Sequence, residues 1–258
     1  MIEKLKNVAR ASYRASGLAL LTLVQLGAVE THQRLSSPEK RDAVFDRHMR
    51  VWVRTLLRVF GVQLVMQPEH IPPRKKNSRL IVSNHRSPID IAIVLSTFGG
   101  QVLSRADIAT WPILGTAARK AGTIFVDRDE SASGAQAIRQ IRRRLKEGAT
   151  ISVFPEGTTF EGDTVRPFRM GAFVGIRGLD LEIVPVGIAY QANAEFVDET
   201  FLRHLRRSAE RPVTRVAVCV GDPIVPDGRA AEIGKELEIK VQELVNRARQ
   251  MLDSNPTK

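Results

Sequence analysis

The residues best suited to chemistry in this chain are His85 and Asp90, in the stretch Asn84-His85-Arg86-Ser87-Pro88-Ile89-Asp90. A carboxylate that holds one imidazole nitrogen fixes the ring's tautomer and leaves the other nitrogen free to take a proton from a hydroxyl. That arrangement suits acyl transfer to an alcohol. The same two residues also have a reading without chemistry, with Asp90 capping its helix and His85 hydrogen-bonded in the core. The single cysteine, Cys219, gives neither an intramolecular disulfide nor a metal site. It sits in the apolar run Val213 to Val220 and reads as a small buried residue.

The elements around the pair make its two members neighbours. Leu80-Ile81-Val82 reads as a buried strand, Ser83, Asn84 and Pro88 mark a turn, and Asp90 opens the helical stretch Ile91 to Leu95. Further strand-like runs are Val62 to Met66, Gln101 to Leu103, Thr123 to Val126, Ile151 to Phe154, Ile183 to Ala189 and Val213 to Val220. A helix starting near Ser131 or Ser133 carries Ala137, Ile138, Ile141 and Leu145, and Gly148 ends it. Its other face bears Arg139, Arg142, Arg143, Arg144 and Lys146. A last helix covers roughly Ala230 to Met251, and Asp253 to Lys258 reads as a frayed end. Alternation of this kind predicts an α/β domain: a mixed, mostly parallel sheet flanked by helices over residues 61–258, preceded by a helical segment at 1–60.

Charge points to an anionic partner. Lys and Arg number 39 against 28 acidic residues, a net charge of +11. Aromatics are 5%, and no zinc-finger, RNP-type or Gly-rich phosphate loop occurs, so nucleic acid is not the expected partner. Lys4, Lys6, Arg10 and Arg14 precede the apolar run Gly17 to Val29, which Gln25 interrupts and which falls short of the ~20 apolar residues that span a bilayer. No small-residue cleavage pattern follows it, so an interfacial helix is expected rather than a signal peptide. In Ala43 to Phe60, the residues Phe45, Met49, Trp52, Leu56 and Phe60 recur at helical spacing, with Arg47, Arg50, Arg54 and Arg58 on neighbouring positions. That helix lies either in a headgroup layer or against the core.

Ligand-binding groups in open α/β sheets gather where strands end. Three more strand ends carry reactive groups: Gly122 to Arg128, Phe154-Pro155-Glu156-Gly157-Thr158-Thr159, and Val184-Pro185-Val186. In this order the chain resembles the glycerolipid acyltransferase family, whose best-known members are 1-acyl-sn-glycerol-3-phosphate acyltransferases. His85 and Asp90 match its His-x4-Asp motif; Gly122, Phe125 and Arg128 match its second block. Phe154 to Thr158 match the third, Val184 to Val186 the fourth, and Phe168-Arg169-Met170-Gly171-Ala172 an element that follows the third. The likeness covers about residues 60–220. It departs from the family at Thr159 and Phe160, where Arg-Ser is usual after the third block's Thr.

The resemblance implies transfer of a fatty acyl group from acyl-CoA or acyl carrier protein to a lysolipid hydroxyl. The expected acceptor is 1-acyl-sn-glycerol 3-phosphate, giving phosphatidic acid, and the alternative is another lysolipid such as a lyso-ornithine lipid. His85 is the implied general base and Asp90 its orienting partner. Arg128 would bind an anionic headgroup, and Glu156, Gly157 and Thr158 would shape the acceptor site. No metal or resident cofactor is expected. The implied location is the cytoplasmic face of a membrane with anionic lipid, bound without spanning it. A serine hydrolase lacks its Gly-x-Ser-x-Gly elbow here. A non-catalytic lipid-binding protein would explain the charge and leave the His85/Asp90 pair without a role.

Overall fold

Each of the seven strand-like runs forms a strand, because each is rich in β-branched residues and bounded by turn formers. The computed structural model of the protein describes residues 1–68, 71, 73–110, 114–127 and 130–254. In chain order these form α1 (Ile2–Arg34), α2 (Arg41–Val59), β1 (Val62–Gln67), β2 (Arg79–Ser83), α3 (Ile89–Phe98), β3 (Gln101–Arg105), α4 (Leu114–Lys120), β4 (Ile124–Val126), α5 (Ser131–Lys146), β5 (Thr150–Val153), α6 (Gly171–Ile176), β6 (Glu182–Tyr190), α7 (Phe201–Glu210), β7 (Thr214–Val220) and α8 (Ala230–Ser254). The strand order is β1-β7-β6-β2-β5-β3-β4. Every neighbouring pair is parallel except β6 with β7, so the sheet is mixed and mostly parallel, as the alternation of the sequence predicts.

The core lies on both faces of the sheet. On β2, Leu80 and Val82 join one apolar cluster with residues of α5, α6 and α8, whereas Ile81 joins a second cluster with α3 and Val53 of α2. This is the period-2 alternation of a strand covered on both sides. Helix α8 lies so close to β6 that a Cβ on Gly187 would stand 2.3 Å from the backbone of Leu244 and Val245.

The N-terminal helices belong to this body. Val53 is buried, and Met49, Trp52 and Leu57 pack with it against the second cluster, so the core-packed reading holds for that face of α2. Two of its arginines are held internally: Arg50 donates to the carbonyl of Phe98 and Arg54 to that of Ser96, both late in α3. Arg14 of α1 is buried as well and donates to the carbonyls of Ala209 and Pro212 at the end of α7, where a helix leaves carbonyls unpaired. Arg10 donates to Glu210 O nearby. The charges at 10, 14, 50 and 54 therefore fix the N-terminal pair of helices to the rest of the domain. No helix among the described residues is long and apolar enough to cross a membrane.

Sequence periodicity did not reveal α4, α6 or α7, each of ten residues or fewer. Helix α5 begins at Ser131, with Glu130 as its N-cap and no side-chain cap bond. Ser133 lies within the first turn, and its hydroxyl accepts the Asp127 N–H at 2.8 Å. Cys219 is buried, and that burial pushes its thiol pKa up, as suits an inert core residue. Asp253 and Ser254 are helical, and the rest of the expected frayed end lies outside the described residues.

Candidate active site

Strand β2 runs into its turn through Asn84, whose side chain takes over from the strand ladder. Its amide donates to Ile188 O and its carbonyl accepts from Ile188 N, both at 2.8 Å, tying the turn to β6. The chain then turns through His85 to Pro88, and Asp90 falls in the first turn of α3. Asp90 is wholly buried. Its Oδ2 accepts from Arg86 N at 2.6 Å, from Ser87 N at 2.8 Å and from His85 Nδ1 at 2.9 Å. Its Oδ1 accepts from the Tyr190 hydroxyl at 2.7 Å. Both readings of Asp90 are thus realised in one carboxylate: it closes its own turn and it holds the imidazole.

With Asp90 accepting at Nδ1, the proton of neutral His85 sits there and Nε2 keeps its lone pair. Among the described residues no hydrogen bond reaches Nε2. The ring stacks on Phe154 at 4.3 Å between centroids and 20° between planes, which restricts its rotation. The His85 side chain is 12% exposed, and that surface opens on a cavity of about 550 Å³. Tyr190 is a phenol held neutral. Burial first, and then the adjacent Asp90 charge, raise its pKa well above the usual phenol value, so it stays a donor to the carboxylate.

The other expected site residues divide. Gly157 and Thr158 line the cavity beside His85. Glu156 does not line it. It is buried beneath the turn, where Oε2 accepts from His85 N at 2.6 Å, the Arg86 guanidinium pairs with it at 2.9 Å, and Oε1 accepts from Arg166 N at 2.8 Å. Its place is to hold the backbone under His85. Arg86 in turn donates to Gly162 O and Thr164 O, so this buried pair fastens the loop after β5. Arg128 lies outside the described residues, although Asp127 just before it lines the cavity. Thr159, where the family usually has Arg, donates its hydroxyl to Phe196 O at 2.5 Å.

Arg169, in the element after the third block, also lines the cavity. Its backbone N–H is fixed on Pro155 O at 2.8 Å. A Cβ on Gly157 would lie 2.6 Å from its Nε, so the guanidinium rests directly on that glycine, whose φ of +82° favours Gly. Arg105 lines the cavity too, but pairs with Asp107 at 3.0 Å. Among the described residues the Arg169 guanidinium has no hydrogen-bond or ion-pair partner. A second cavity, of about 260 Å³ and with apolar walls, shares Pro88, Ile91, Ser104 and Ile108 with the first and extends between α2 and α4.

Sequence reasoning missed Tyr190, Arg86, Glu199 and His204 as parts of this network. Tyr190 carries no local signal, since it reaches Asp90 only because β6 pairs beside β2. Glu199 and His204, joined Oε1 to Nδ1 at 2.8 Å, show a spacing of five, and the fold alone brings His204 Nε2 to within 3.1 Å of the Ser87 hydroxyl in the turn.

Comparisons with known proteins point to acyltransferases. The acyltransferase family matches residues 64–189. Over 243 residues the chain is 29% identical to a lyso-ornithine lipid O-acyltransferase of Pseudomonas aeruginosa, covering 90% of each protein. Over 136 residues it is 28% identical to a 1-acyl-sn-glycerol-3-phosphate acyltransferase of Neisseria gonorrhoeae, covering 53% of this chain and 51% of that one. The match to a lyso-ornithine lipid O-acyltransferase of Rhizobium meliloti likewise spans about half of the relative, 47%. In fold, the chain resembles the crystal structure of the 1-acyl-sn-glycerophosphate acyltransferase PlsC from Thermotoga maritima, with a TM-score of 0.76 at 21% identity over 99% of this chain and 100% of that one.

Proposed function

The chain belongs to the acyltransferase family, and from that premise we propose that it moves a fatty acyl group from an acyl thioester to the hydroxyl of a lysolipid. The carrying observation is the His85 Nδ1–Asp90 Oδ2 bond of 2.9 Å with Nε2 left for the cavity. In this reading Nε2 takes the acceptor's hydroxyl proton as the oxygen attacks the thioester carbonyl. The buried Asp90 stabilises the resulting imidazolium. The new ester C–O bond forms, the C–S bond breaks, and the imidazolium returns its proton to the leaving thiolate. The acyl group arrives activated and the base belongs to the chain, so the reaction needs no resident metal or cofactor. Acyl-CoA or acyl carrier protein is the consumed donor. The apolar second cavity, which shares wall residues with the His85 cavity, suits an acyl chain.

For the acceptor, 1-acyl-sn-glycerol 3-phosphate is one reading and a lyso-ornithine lipid the other. Two observations favour the second. The Pseudomonas aeruginosa relative is matched over 90% of its length, and Thr159, at the position where the pattern of the resembled family has Arg, offers a hydroxyl bonded to Phe196 instead of a guanidinium. Arg169, with Arg128, would hold the acceptor's anionic group through charged hydrogen bonds. Glu156 acts by positioning His85, while Gly157 and Thr158 shape the wall. Purified protein offered both lysolipids, with both donors, tests this: preference for the lyso-ornithine lipid is expected, and exclusive use of 1-acyl-sn-glycerol 3-phosphate overturns it. Arg169→Ala should raise the acceptor KM by about tenfold or less, given an exposed contact, with donor KM unchanged.

The proposed location is the cytoplasmic membrane surface, reached through α1 without crossing. Leu5, Tyr13, Leu20, Leu23 and Val24 are all more than half exposed there, beside Lys4 and Lys6. An apolar strip with basic neighbours binds anionic headgroups in a salt-sensitive way. Leu20→Ser with Leu23→Ser should lower flotation with phosphatidylglycerol vesicles while the melting temperature holds. Unchanged flotation would remove α1 from the contact.

A further inference from the structure

A second histidine is buried directly behind the catalytic turn. His204 of α7 is 2% exposed, and its Nε2 lies 3.1 Å from the Ser87 hydroxyl. Its Nδ1 lies 2.8 Å from Glu199 Oε1, which Arg207 also holds. Burial lowers the His204 pKa first and outweighs the opposing pull of Glu199, so the ring is neutral. Burial alone would raise the Glu199 pKa, yet the hydrogen bonds from Arg207 and His204 shift it down, so the carboxylate stays charged. A neutral ring that donates to Glu199 at Nδ1 must accept at Nε2, where the Ser87 hydroxyl at 3.1 Å is nearer than that of Ser208 at 3.5 Å.

Ser87 occupies the centre of the turn. Its N–H donates to Asp90 Oδ2 at 2.8 Å, and its Oγ accepts from Ile89 N at 3.3 Å. The hydroxyl is wholly buried. Glu199 and Phe201 border the cavity, and Phe196, whose ring lies 4.9 Å from that of His204, accepts the Thr159 hydroxyl. The line Glu199–His204–Ser87 therefore runs from α7 and the cavity wall to the backbone donor that orients Asp90.

We infer that His204 is a positioning residue for acyl transfer, acting through Ser87 to keep the Asp90 carboxylate aligned on His85. This rests on the reading of His85 as the base. His204 touches no reacting group; its ring also borders the second, apolar cavity, but the bond to Ser87 acts on turnover. Loss of its bond to Ser87 lets the turn relax, so Asp90 Oδ2 loses the alignment that stabilises the imidazolium while the His85 cavity, which His204 does not line, remains.

The test is a double-mutant cycle on the full chain, with lipid product measured under saturating donor and acceptor. His204→Leu and Ser87→Ala should each lower kcat about tenfold, the scale of one lost buried hydrogen bond. Both KM values should stay within about twofold, and the double variant should lose no more than either single one. His204→Gln keeps an acceptor for Ser87 and should recover most of kcat. If His204→Leu does not fold, His204→Phe, which keeps the ring's shape but offers no acceptor, takes its place in the cycle. Wild-type kcat in folded His204→Leu, multiplied losses in the double variant, or a loss confined to KM would each overturn the inference. His85→Ala is measured alongside: activity surviving there contradicts the role of His85, whereas an inactive His85→Ala beside a fully active His204→Leu contradicts this inference alone.

Discussion

His85 with Asp90 and His204 with Glu199 are two histidine–carboxylate pairs of the same spacing, each closed through Nδ1, at 2.9 Å and 2.8 Å. Their surroundings separate them. Asp90 takes backbone N–H groups and a phenol and faces no guanidinium within ion-pair reach among the described residues, so its charge is available to an imidazolium. Glu199 already shares its charge with Arg207. The second nitrogen of His85 opens on the large cavity, whereas that of His204 meets Ser87 inside the protein. Spacing therefore does not make a base. An accessible second nitrogen and a carboxylate with uncompensated charge do.

The largest effect that sharpens this contrast is expected at Asp90. Asp90→Asn places an amide where three donors converge on Oδ2 and where an imidazolium must be neutralised. The turnover of lysolipid should fall by about 10²–10⁴-fold, the range general-base assistance supplies. The matching change Glu199→Gln should cost far less in the same assay, because Arg207 and a neutral His204 can both be retained. Equal losses at the two carboxylates would erase the distinction between the pairs.

Tyr190→Phe comes next. It removes the phenol from Asp90 Oδ1 without changing shape, so kcat should fall about tenfold and the melting temperature should drop. The alkaline limb gives a second reading. The folded Tyr190 pKa lies above the unfolded value of 10.0, so its contribution is present below about pH 10 and is lost as pH rises beyond it. Melting curves of Tyr190→Phe should lack that part of the alkaline decline; an identical decline would show that the phenol is not held neutral.

The smallest effect lies on the acid side and belongs to His204. Its folded pKa is lowered from 6.5 by burial, so the unfolded chain takes up the proton first as pH falls. Stability is full above about pH 6.5 and declines below it toward the folded pKa. His204→Gln should make the decline in melting temperature below about pH 6.5 less steep. An unchanged slope would place that titration on another group.

Much of this was legible in the sequence because it is local. The strand before Asn84, the turn at Pro88 and the apolar start of α3 bring His85 to Asp90 within one supersecondary unit, and residues at i and i+5 need no tertiary knowledge. The alternating runs likewise declare the strands, since burial on both faces demands continuous apolar stretches. What could not be read is what long-range pairing creates. Tyr190 reaches Asp90 across β6 and β2, and Glu156 looks like a wall residue in its turn but folds under His85 to meet Arg86. Arg14, Arg50 and Arg54 read as a basic surface because nothing in their own helices reveals the carbonyls they cap. His204 sits on a ten-residue helix whose one strong signal is a charged face, and its partner Ser87 lies far back in the chain.

The central claim is that His85 Nε2 removes the acceptor's proton. Its most direct test is acyl transfer by His85→Ala, with circular dichroism and lysolipid binding measured on the same preparation. The account predicts native spectra, retained lysolipid binding and a rate lowered by at least about 10²-fold. Turnover near that of the unmodified protein from a folded His85→Ala variant would contradict it.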